Sequence, residues 1–202
     1  MSHIVGIVLA AGESTRFGDQ NKLLAEYREQ PLITHATESL DVDSIDSVVA
    51  VLGHDFDAIS SVVQDQVDEI CYNPQYEAGL SSSVRVGVTS TPAQRASAAL
   101  FLPGDMPCVS PEAVSQIVGT YVRGHGEIII PTYESTRGNP VLFDAAQFDA
   151  LSTLSGDSGG RQLFASAETR RLEVDDPGIR IDIDTEEQLR KLRNEGCGDW
   201  LI

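Results

Sequence analysis

The chain has 202 residues, 41% of them hydrophobic, which suits one globular domain with a sizeable core. Thirty-one acidic residues against 14 lysines and arginines give a formal net charge of −17, which excludes nucleic acid and anionic membranes as expected partners. No apolar run approaches the length that spans a bilayer, and the first residues lack the basic start of a signal peptide, so we expect a cytoplasmic protein.

Short apolar runs alternate with amphipathic ones along the whole chain. In chain order, the patterns predict a strand over Ile4–Leu9, a helix from Pro31, a strand over Ser47–Leu52, a helix over Asp55–Val67, a strand over Glu69–Tyr72, a helix over Leu80–Val88, a strand over Ala98–Leu102, a helix after Ser110, strands over Ile128–Pro131 and Val141–Phe143, helices over Asp144–Leu151 and Ser158–Ala167, strands over Arg171–Val174 and Ile179–Ile183, and a helix over Thr185–Arg193. This alternation predicts an α/β fold: a single Rossmann-like domain over residues 1–202, with three α/β/α layers and a mainly parallel sheet. In such sheets, ligands bind where loops leave the carboxyl ends of the strands.

The loop after the first predicted strand combines glycines with two cations. Its sequence over Leu9–Lys22 is LAAGESTRFGDQNK, in which Gly12 and Gly18 allow the backbone to approach phosphate oxygens closely. Arg16 can bind two phosphate oxygens in a fork, and Lys22 supplies a movable point charge. On so acidic a chain, this pattern predicts a nucleotide-phosphate site. The alternative is an ordinary strand–helix connection with incidental basic residues.

The loop has neither GK[ST] nor GxGxxG, so it is neither a Walker A loop nor a dinucleotide fingerprint. Its pattern, L-A-A-G-x-x-x-R-x-G-x-x-x-K, resembles the opening motif of the MobA-like nucleotidyltransferases, and the resemblance continues along nearly the whole chain. It implies a fold of the nucleotide-diphospho-sugar transferase type. The LAAG form, set by Ala11, resembles the CTP-using branch of the family. The resemblance implies nucleotide contacts from Leu9, Ala10, Ala11, Gly12, Glu13, Ser14, Thr15, Arg16, Gly18 and Lys22.

A carboxylate follows the predicted strand over Ala98–Leu102, in the sequence LPGDMP. A carboxylate at such a strand end can hold Mg²⁺ against triphosphate oxygens. The segment resembles the family's GDxP motif, which implies that Asp105 binds the metal and that Pro103 and Gly104 lie against the nucleotide. The alternative is a turn aspartate, favoured by its proline and glycine neighbours.

Two further aspartates, Asp182 and Asp184, lie two residues apart at the end of the last predicted strand. The segment is similar to the family's D-x-D-T-P-E-D-L ending, where aspartate joins the metal site, although Glu186 replaces the usual proline. The alternative is structural, since Thr185 and Gln188 form a capping-box pattern and an aspartate favours a helix start.

A third segment, NPQYEAGLSSS, resembles the N-P…G-[ML]-x-S-S segment that lines the nucleotide pocket in cytidylyltransferase-type relatives. Hydroxyl and amide groups at a helix start are suited to binding ribose and base. The alternative is plain helix capping by serine. The residues that the resemblance assigns to the nucleotide here are Asn73, Gly79, Ser81, Ser82 and Ser83.

Two later segments, RGNPVLF over Arg137–Phe143 and LSGDSGGR over Leu154–Arg161, are similar to motifs of the molybdenum cofactor cytidylyltransferase (MocA)-like branch. There they shape the side that receives the acceptor's phosphate. Asn139 stands where histidine is usual, which alters any role of that histidine, and the alternative is a glycine-rich loop before a helix. The residues implied to bind the acceptor are Gly138, Asn139, Pro140, Gly156, Asp157, Gly159 and Arg161.

Together these motifs predict a Mg²⁺-dependent nucleotidyltransferase with Arg16, Lys22 and Asp105 as catalytic residues. The attacking group is an ionised phosphate, so positioning and charge neutralisation suffice and no strong general base is required. The resemblance implies CTP as donor, molybdopterin as acceptor and a molybdenum hydroxylase as partner. The alternatives are a sugar or alcohol phosphate as acceptor, GTP as donor, or a non-catalytic chaperone that delivers cofactor to a molybdenum hydroxylase.

The three cysteines, Cys71, Cys108 and Cys197, are an odd number at wide spacings and form no CxxC pair. The sequence therefore predicts neither a disulfide framework nor a zinc site, and each is expected to be a small buried side chain or an idle thiol.

Acidic residues are dispersed, and lysine occurs only at Lys22 and Lys191. Such a composition is typical of proteins from salt-loving organisms, because salt screens the self-repulsion. We hypothesise a halophilic source.

Overall fold

The computed structural model describes residues 2–18, 20–157 and 159–198, and these ranges contain ten strands and six α-helices. In chain order they are β1 (Ile4–Ala10), β2 (Glu26–Tyr27), β3 (Gln30–Pro31), α1 (Leu32–Glu38), β4 (Ser47–Leu52), α2 (Phe56–Val63), β5 (Glu69–Tyr72), α3 (Leu80–Val88), β6 (Ala98–Pro103), α4 (Pro111–Val122), β7 (Ile128–Tyr133), β8 (Thr136–Arg137), β9 (Val141–Asp144), α5 (Phe148–Ser152), β10 (Thr169–Glu173) and α6 (Glu186–Glu195). Within these ranges, no helix is long and apolar enough to cross a membrane.

The main sheet has the strand order β10-β7-β9-β6-β1-β4-β5, with β8 paired to β7. Its strands run parallel except for β9, which is antiparallel to both neighbours, and β8, which is antiparallel to β7. Helices α1, α2 and α4 contribute to the core on one face, and α3 and α5 to the core on the other. The predicted α/β fold with a mainly parallel sheet is confirmed.

The strand β1 explains why the sheet is covered on both faces. Ile4 and Val8 pack into the core on the α4 side, whereas Val5 and Ile7 pack into the core on the α3 side, and all four are buried. Alternate side chains of a strand point to opposite faces, so a run without polar residues requires cover on both. Burying each such side chain contributes about 1.5–3 kcal/mol.

The chain reverses its direction of travel across the sheet at β1. From β1 it continues to β4 and β5 on one side, then returns to β6 on the other side. The connections at the carboxyl ends of β1 and β6 therefore leave in opposite directions and open a crevice, which is where ligands bind in open α/β sheets.

Three predicted elements in the last third differ from the structure. The strand predicted over Ile179–Ile183 is absent, because a 3-10 turn over Pro177–Arg180 occupies its start and Asp176 caps that turn by accepting from the Gly178 amide. The helix predicted over Ser158–Ala167 is a 3-10 segment over Gly159–Ala165, and Ser158 lies outside the described residues. Within Asp144–Leu151, β9 extends to Asp144 and only a short α-helix follows.

The expectation for the cysteines was wrong for two of the three. Cys108 and Cys197 are joined in a disulfide across 89 positions of sequence, with a Cα–Cα distance of 5.5 Å, and only Cys71 is a free thiol. The bond links the loop after β6 to the segment that follows α6. Sequence spacing does not reveal such a pair, because the fold alone brings the two segments together.

Candidate functional site

A cavity of about 520 Å³ opens at the carboxyl ends of β1 and β6, between the loop after β1 and the start of α3. This volume falls within the range of small-molecule sites, about 300–1,000 Å³. Its lining residues are Leu9, Ala10, Ala11, Gly12, Glu13, Ser14, Thr15, Arg16, Lys22, Leu23, Tyr76, Glu77, Gly79, Leu80, Ser83, Pro103, Asp105, Asp157 and Asp184.

The loop after β1 forms one wall of the cavity with its backbone. The amides of residues 12–16 donate no hydrogen bond to any described part of the protein. The loop turns where the Phe17 amide donates to the Ser14 carbonyl at 2.8 Å, and Gly18 adopts a φ of +109° that favours glycine. A row of unpaired amides is an anion-binding arrangement, so this wall is suited to phosphate oxygens.

Asn21 fixes the position of Lys22 in the same loop. It is buried, and its Oδ1 accepts from the Leu23 amide at 3.0 Å, which begins the 3-10 turn that carries Lys22. Its Nδ2 donates to Asp55 at 3.2 Å, and the Ser14 hydroxyl donates to its Oδ1 at 3.2 Å. The lysine therefore extends from a turn that is anchored on three sides.

Lys22 joins two carboxylates that come from distant parts of the chain. Its Nζ lies 2.6 Å from Asp105 Oδ2 and 2.8 Å from Asp184 Oδ1. Arg16 Nη2 lies 2.9 Å from Asp184 Oδ2. The side chains of Lys22, Asp105 and Asp184 are only 15%, 18% and 20% exposed, whereas Arg16 is 73% exposed. Two cations and two carboxylates thus meet on the floor of the cavity.

The pKa values of this cluster follow from its charges. Burial lowers the pKa of Lys22, but Asp105 and Asp184 outweigh it, so the pKa lies above its ordinary value. Burial likewise opposes ionisation of Asp184, but Lys22 and Arg16 outweigh it and the pKa of that carboxyl group is lowered. Both partners are therefore charged across the neutral range.

Asp182 lies beside the cluster without joining it. Desolvation and the negative charges of Asp105 and Asp184 raise the pKa of its carboxyl group. It neither lines the cavity nor forms an ion pair with a described residue. The structure thus brings Asp184, and not Asp182, into contact with the predicted cations.

Backbone hydrogen bonds hold the three segments of the cluster together. The Ile183 amide donates to the Asp105 carbonyl at 3.0 Å, and the Gly104 amide donates to the Leu9 carbonyl at 2.9 Å. The helix after Asp184 begins with the predicted capping box of Thr185 and Gln188. Thr185 therefore caps the helix, while the neighbouring Asp184 belongs to the charged cluster.

The carboxylates at the floor are suited to a divalent cation. Asp105 Oδ1 is buried and has no hydrogen-bond partner among the described residues, although burying an unpaired polar atom is costly. Nowhere in the described ranges do three or more His, Cys, Asp or Glu side chains form a group able to hold a metal. Asp105 and Asp184 would therefore leave most of the coordination shell to other oxygens, as Mg²⁺ sites built with substrate phosphates do.

The predicted residues around α3 divide between the cavity and the interior. Gly79 and Ser83 line the cavity. Asn73 is buried and donates to the Ser82 and Ser83 hydroxyls at 2.8 and 3.1 Å, so it fixes the start of α3. Ser81 and Ser82 are buried behind the lining, and the Ser81 hydroxyl has no partner among the described residues. Gly18 and Gly104 also lie outside the lining.

Most residues predicted to bind the acceptor lie beyond the cavity. Of that set only Asp157 lines it, and its Oδ1 also accepts from the Leu80 amide at 3.3 Å, capping α3. The Asn139 amide donates to the Ile179 carbonyl at 2.9 Å, beside the 3-10 turn that replaces the predicted strand. The residues placed outside the lining are Gly138, Asn139, Pro140, Gly156, Gly159 and Arg161.

Four lining residues, Leu23, Tyr76, Glu77 and Leu80, were not predicted from the sequence. All lie within or directly beside the motifs that were identified. The signal that could have identified them is proximity in sequence, since a residue next to a phosphate or ribose contact on a tight turn faces the same cavity. Asn21 is detectable in the same way, because it directly precedes Lys22.

Comparison with known sequences gives one family. The profile of the MobA-like NTP transferase domain matches residues 6–172. Nicotine blue oxidoreductase from Paenarthrobacter nicotinovorans is 29% identical over 199 residues, covering 94% of this chain and 96% of its own length. The molybdenum cofactor cytidylyltransferase of Escherichia coli K12 is 26% identical over 186 residues, covering 92% and 93%.

Comparison with solved structures gives proteins of the same fold. Rv0371c from Mycobacterium tuberculosis H37Rv matches with a TM-score of 0.81 at 27% identity, over 96% of this chain and 99% of that one. The structure of its complex with manganese matches with a TM-score of 0.77 over the same shares of each chain.

Proposed function

Because this chain belongs to the MobA-like NTP transferase family, and is thus a nucleotidyltransferase, we propose that it transfers CMP from CTP to molybdopterin and releases pyrophosphate. Nucleotidyltransferases of this kind use divalent metals, and we propose Mg²⁺ for this one. The observation that carries the proposal is the position of Lys22 between Asp105 and Asp184, on the floor of a cavity. The wall of that cavity is a row of amides that have no hydrogen-bond partner among the described residues.

In the proposed reaction, an oxygen of the acceptor's phosphate attacks the α-phosphorus of the donor. The bond to the β-phosphate breaks, and pyrophosphate leaves with the electron pair. The amides of residues 12–16 bind the triphosphate, while Arg16 and Lys22 neutralise the charge that accumulates on the leaving pyrophosphate. Asp105 and Asp184 would hold Mg²⁺, which supplies charge neutralisation on the phosphates when bound.

Lys22 has to exchange partners when the donor enters. In the structure its ammonium group is bound by two carboxylates, at 2.6 and 2.8 Å. Asp105 and Asp184 would hold a divalent cation bound with the triphosphate, and Lys22 would then be free to donate to a phosphate oxygen. The flexible lysine side chain allows this exchange with little movement of the backbone.

The choice of CTP and molybdopterin rests on sequence similarity. Ala11 gives the loop the LAAG form of the CTP-using branch, and the Escherichia coli relative is named for the cytidylyl transfer. The acceptor is proposed from the two segments Arg137–Phe143 and Leu154–Arg161. We propose that the residues predicted from these segments bind the acceptor. Of these, Asp157 lines the cavity and the others lie beyond it.

A pyrophosphate-release assay tests the proposal. It crosses CTP, GTP, ATP and UTP with molybdopterin and a panel of sugar and alcohol phosphates, in Mg²⁺ at high salt. We expect release with CTP and molybdopterin. Lys22→Ala and Asp105→Ala should each reduce the rate at least about 100-fold while the circular dichroism spectrum is unchanged.

Other outcomes would each identify a different function. Release with a sugar or alcohol phosphate, or only with GTP, would contradict the proposed substrates but retain the transferase. Nucleotide binding without release would indicate a delivery chaperone. The Paenarthrobacter relative is named as an oxidoreductase, which is a different reaction class. If the chain neither binds nucleotide nor releases pyrophosphate, phosphate chemistry in this cavity loses its support.

A further inference from the structure

The turn over residues 53–55, between β4 and α2, contacts the loop after β1 at both ends of that loop. At its start, the His54 amide donates to the Ala11 carbonyl at 3.1 Å. At its end, Asn21 Nδ2 donates to Asp55 Oδ2 at 3.2 Å. The amides that form the cavity wall lie between these two contacts. One turn outside the cavity therefore holds both ends of the wall.

Gly53 allows the turn to lie this close to the loop. A Cβ atom at that position would lie 2.8 Å from the Ala11 carbonyl oxygen and 2.9 Å from the Ala11 Cβ, closer than real Cβ atoms come to other heavy atoms. It would also lie 2.7 Å from the Cβ of Tyr76, which lines the cavity. Gly53 does not have a positive φ, so close packing against the loop is the reason for glycine here.

Asp55 has a conformation that its own helix does not explain. It directly precedes α2, and its carbonyl accepts from the Ile59 amide at 3.0 Å. A residue at this position normally has an extended backbone and caps the helix with its side chain. Asp55 instead has a φ of +54°, in the left-handed region, and its side chain makes no capping hydrogen bond. Its carboxylate accepts from Asn21 instead, so the unusual backbone serves the loop and not the helix.

The buried side chain of Asn21 requires this carboxylate. Asn21 Oδ1 accepts from the Leu23 amide at 3.0 Å and from the Ser14 hydroxyl at 3.2 Å, which fixes the orientation of the amide group. Asp55 Oδ2 is the one partner of Asn21 Nδ2 among the described residues. Without it a buried donor is unpaired, and reversing the amide group would break the two bonds to Oδ1. Asp55 therefore holds Asn21, and through it the turn that carries Lys22.

On the basis of the proposed transferase function, we propose that Asp55 is a positioning residue for nucleotidyl transfer, acting through Asn21 on Lys22 and on the amides of the cavity wall. Lys22 exchanges carboxylates for a phosphate oxygen in the proposed reaction, so the backbone that carries it has to stay in place while its side chain moves. A displacement of about 1 Å can slow a catalysed reaction by about 100-fold. Asp55 does not line the cavity, so its effect passes through the hydrogen bond to Asn21.

Exchanging the two side chains tests this hydrogen bond. Asn21→Asp places two carboxylates where a donor and an acceptor meet, so kcat and the affinity for pyrophosphate should each fall by about 10-fold or more. Adding Asp55→Asn restores the bond in the opposite direction, because the new amide donates to the new carboxylate, and both values should return to within about 3-fold of wild type.

Asp57→Asn added to Asn21→Asp is the matched control. Asp57 lies in the first turn of α2, and its side chain forms no hydrogen bond or ion pair with a described residue. This double variant has the same net charge as the exchanged pair but provides no donor to position 21. It should therefore be as impaired as Asn21→Asp alone.

Two measurements separate positioning from a purely structural role. Isothermal titration with pyrophosphate and Mg²⁺ should show a weaker Kd in Asn21→Asp, whereas partial unfolding would reduce the number of sites and leave Kd unchanged. Steady-state kinetics, with the donor and acceptor that the pyrophosphate-release assay identifies, should show the fall in kcat with the KM of the acceptor unchanged.

The outcomes distinguish this inference from the proposed function. Equal recovery in the two double variants, or no recovery in the exchanged pair, would overturn the role of Asp55. Pyrophosphate binding that Asn21→Asp leaves unchanged would overturn this inference alone. If wild type does not bind pyrophosphate, the proposed function fails and this inference fails with it.

Discussion

Replacement of Lys22 by Met tests the charged floor of the cavity most directly. Methionine is close in length and shape, but it removes the ammonium group that lies 2.6 Å from Asp105 and 2.8 Å from Asp184. Arg16 still contacts Asp184 after the change. Asp105 loses the one side-chain partner that it has among the described residues, since its other oxygen has none there.

The size of the effect follows from the exposure of the three side chains. They are 15–20% exposed, so solvent screens these bonds only in part. A hydrogen bond between charged groups contributes about 1.5–3 kcal/mol, and removing one partner of a buried pair costs about 3–5 kcal/mol. Because Arg16 and residual solvent compensate in part, we expect Lys22→Met to lower the free energy of unfolding by about 2–4 kcal/mol.

Urea unfolding at pH 7 measures this loss as a lower midpoint with an unchanged slope. Lys191→Met is the matched control, because Lys191 is the other lysine and its contact with Glu195 spans 3.5 Å between side chains that are 43% and 42% exposed. The control should change stability by less than about 1 kcal/mol. Mn²⁺ should also stabilise Lys22→Met more than wild type, because it no longer competes with an ammonium group for Asp105 and Asp184.

Equal urea midpoints for the two lysine variants would refute the stabilising role of the cluster. An unchanged response to Mn²⁺ in Lys22→Met would refute the idea that the lysine and a divalent cation compete for the same carboxylates. The two measurements are independent, so either part of the reasoning can fail alone.

Three further results are expected. Reducing the Cys108–Cys197 disulfide, or replacing Cys108 by Ser, should lower the unfolding free energy by about 4–5 kcal/mol, because the bond closes a loop of 89 positions. The control Cys71→Ser should respond to reductant as wild type does, and equal urea midpoints of wild type with and without reductant would contradict the expectation. Acid should destabilise wild type more than Lys22→Met. The pKa of Asp184 lies below its ordinary 3.8, so the stability that this carboxylate contributes is present above pH 3.8 and is lost as the pH falls through the lowered pKa. Identical pH profiles of the urea midpoints of the two proteins would count against this expectation. Raising KCl from 0.1 to 1 M should raise the melting temperature, since the Debye length falls from about 10 to 3 Å around a chain of charge −17, and a lower melting temperature would contradict the halophilic hypothesis.

The order of strands and helices was largely predictable because periodicity is a local property. β1 and β6 are recognisable as apolar runs, and the start of α4 is recognisable from Ser110, which caps it as expected. The prediction failed near the carboxyl terminus, where Ile179–Ile183 has the composition of a strand. There the cap from Asp176 and a turn through Gly178 override the apolar pattern.

The sequence by itself determined the fold class, and it predicted a phosphate-binding loop after β1 and a metal-binding role for Asp105, because each depends on residues that are adjacent in the chain. Only the tertiary structure decided that Asp184 rather than Asp182 contacts Lys22, that Asn73 fixes α3 from the interior and that Cys108 meets Cys197. It also brought Asp55 into contact with Asn21. These contacts join residues that are 9 to 162 positions apart in the chain. Most of them depend on which strands pair and in which register, and a local sequence pattern does not contain that information.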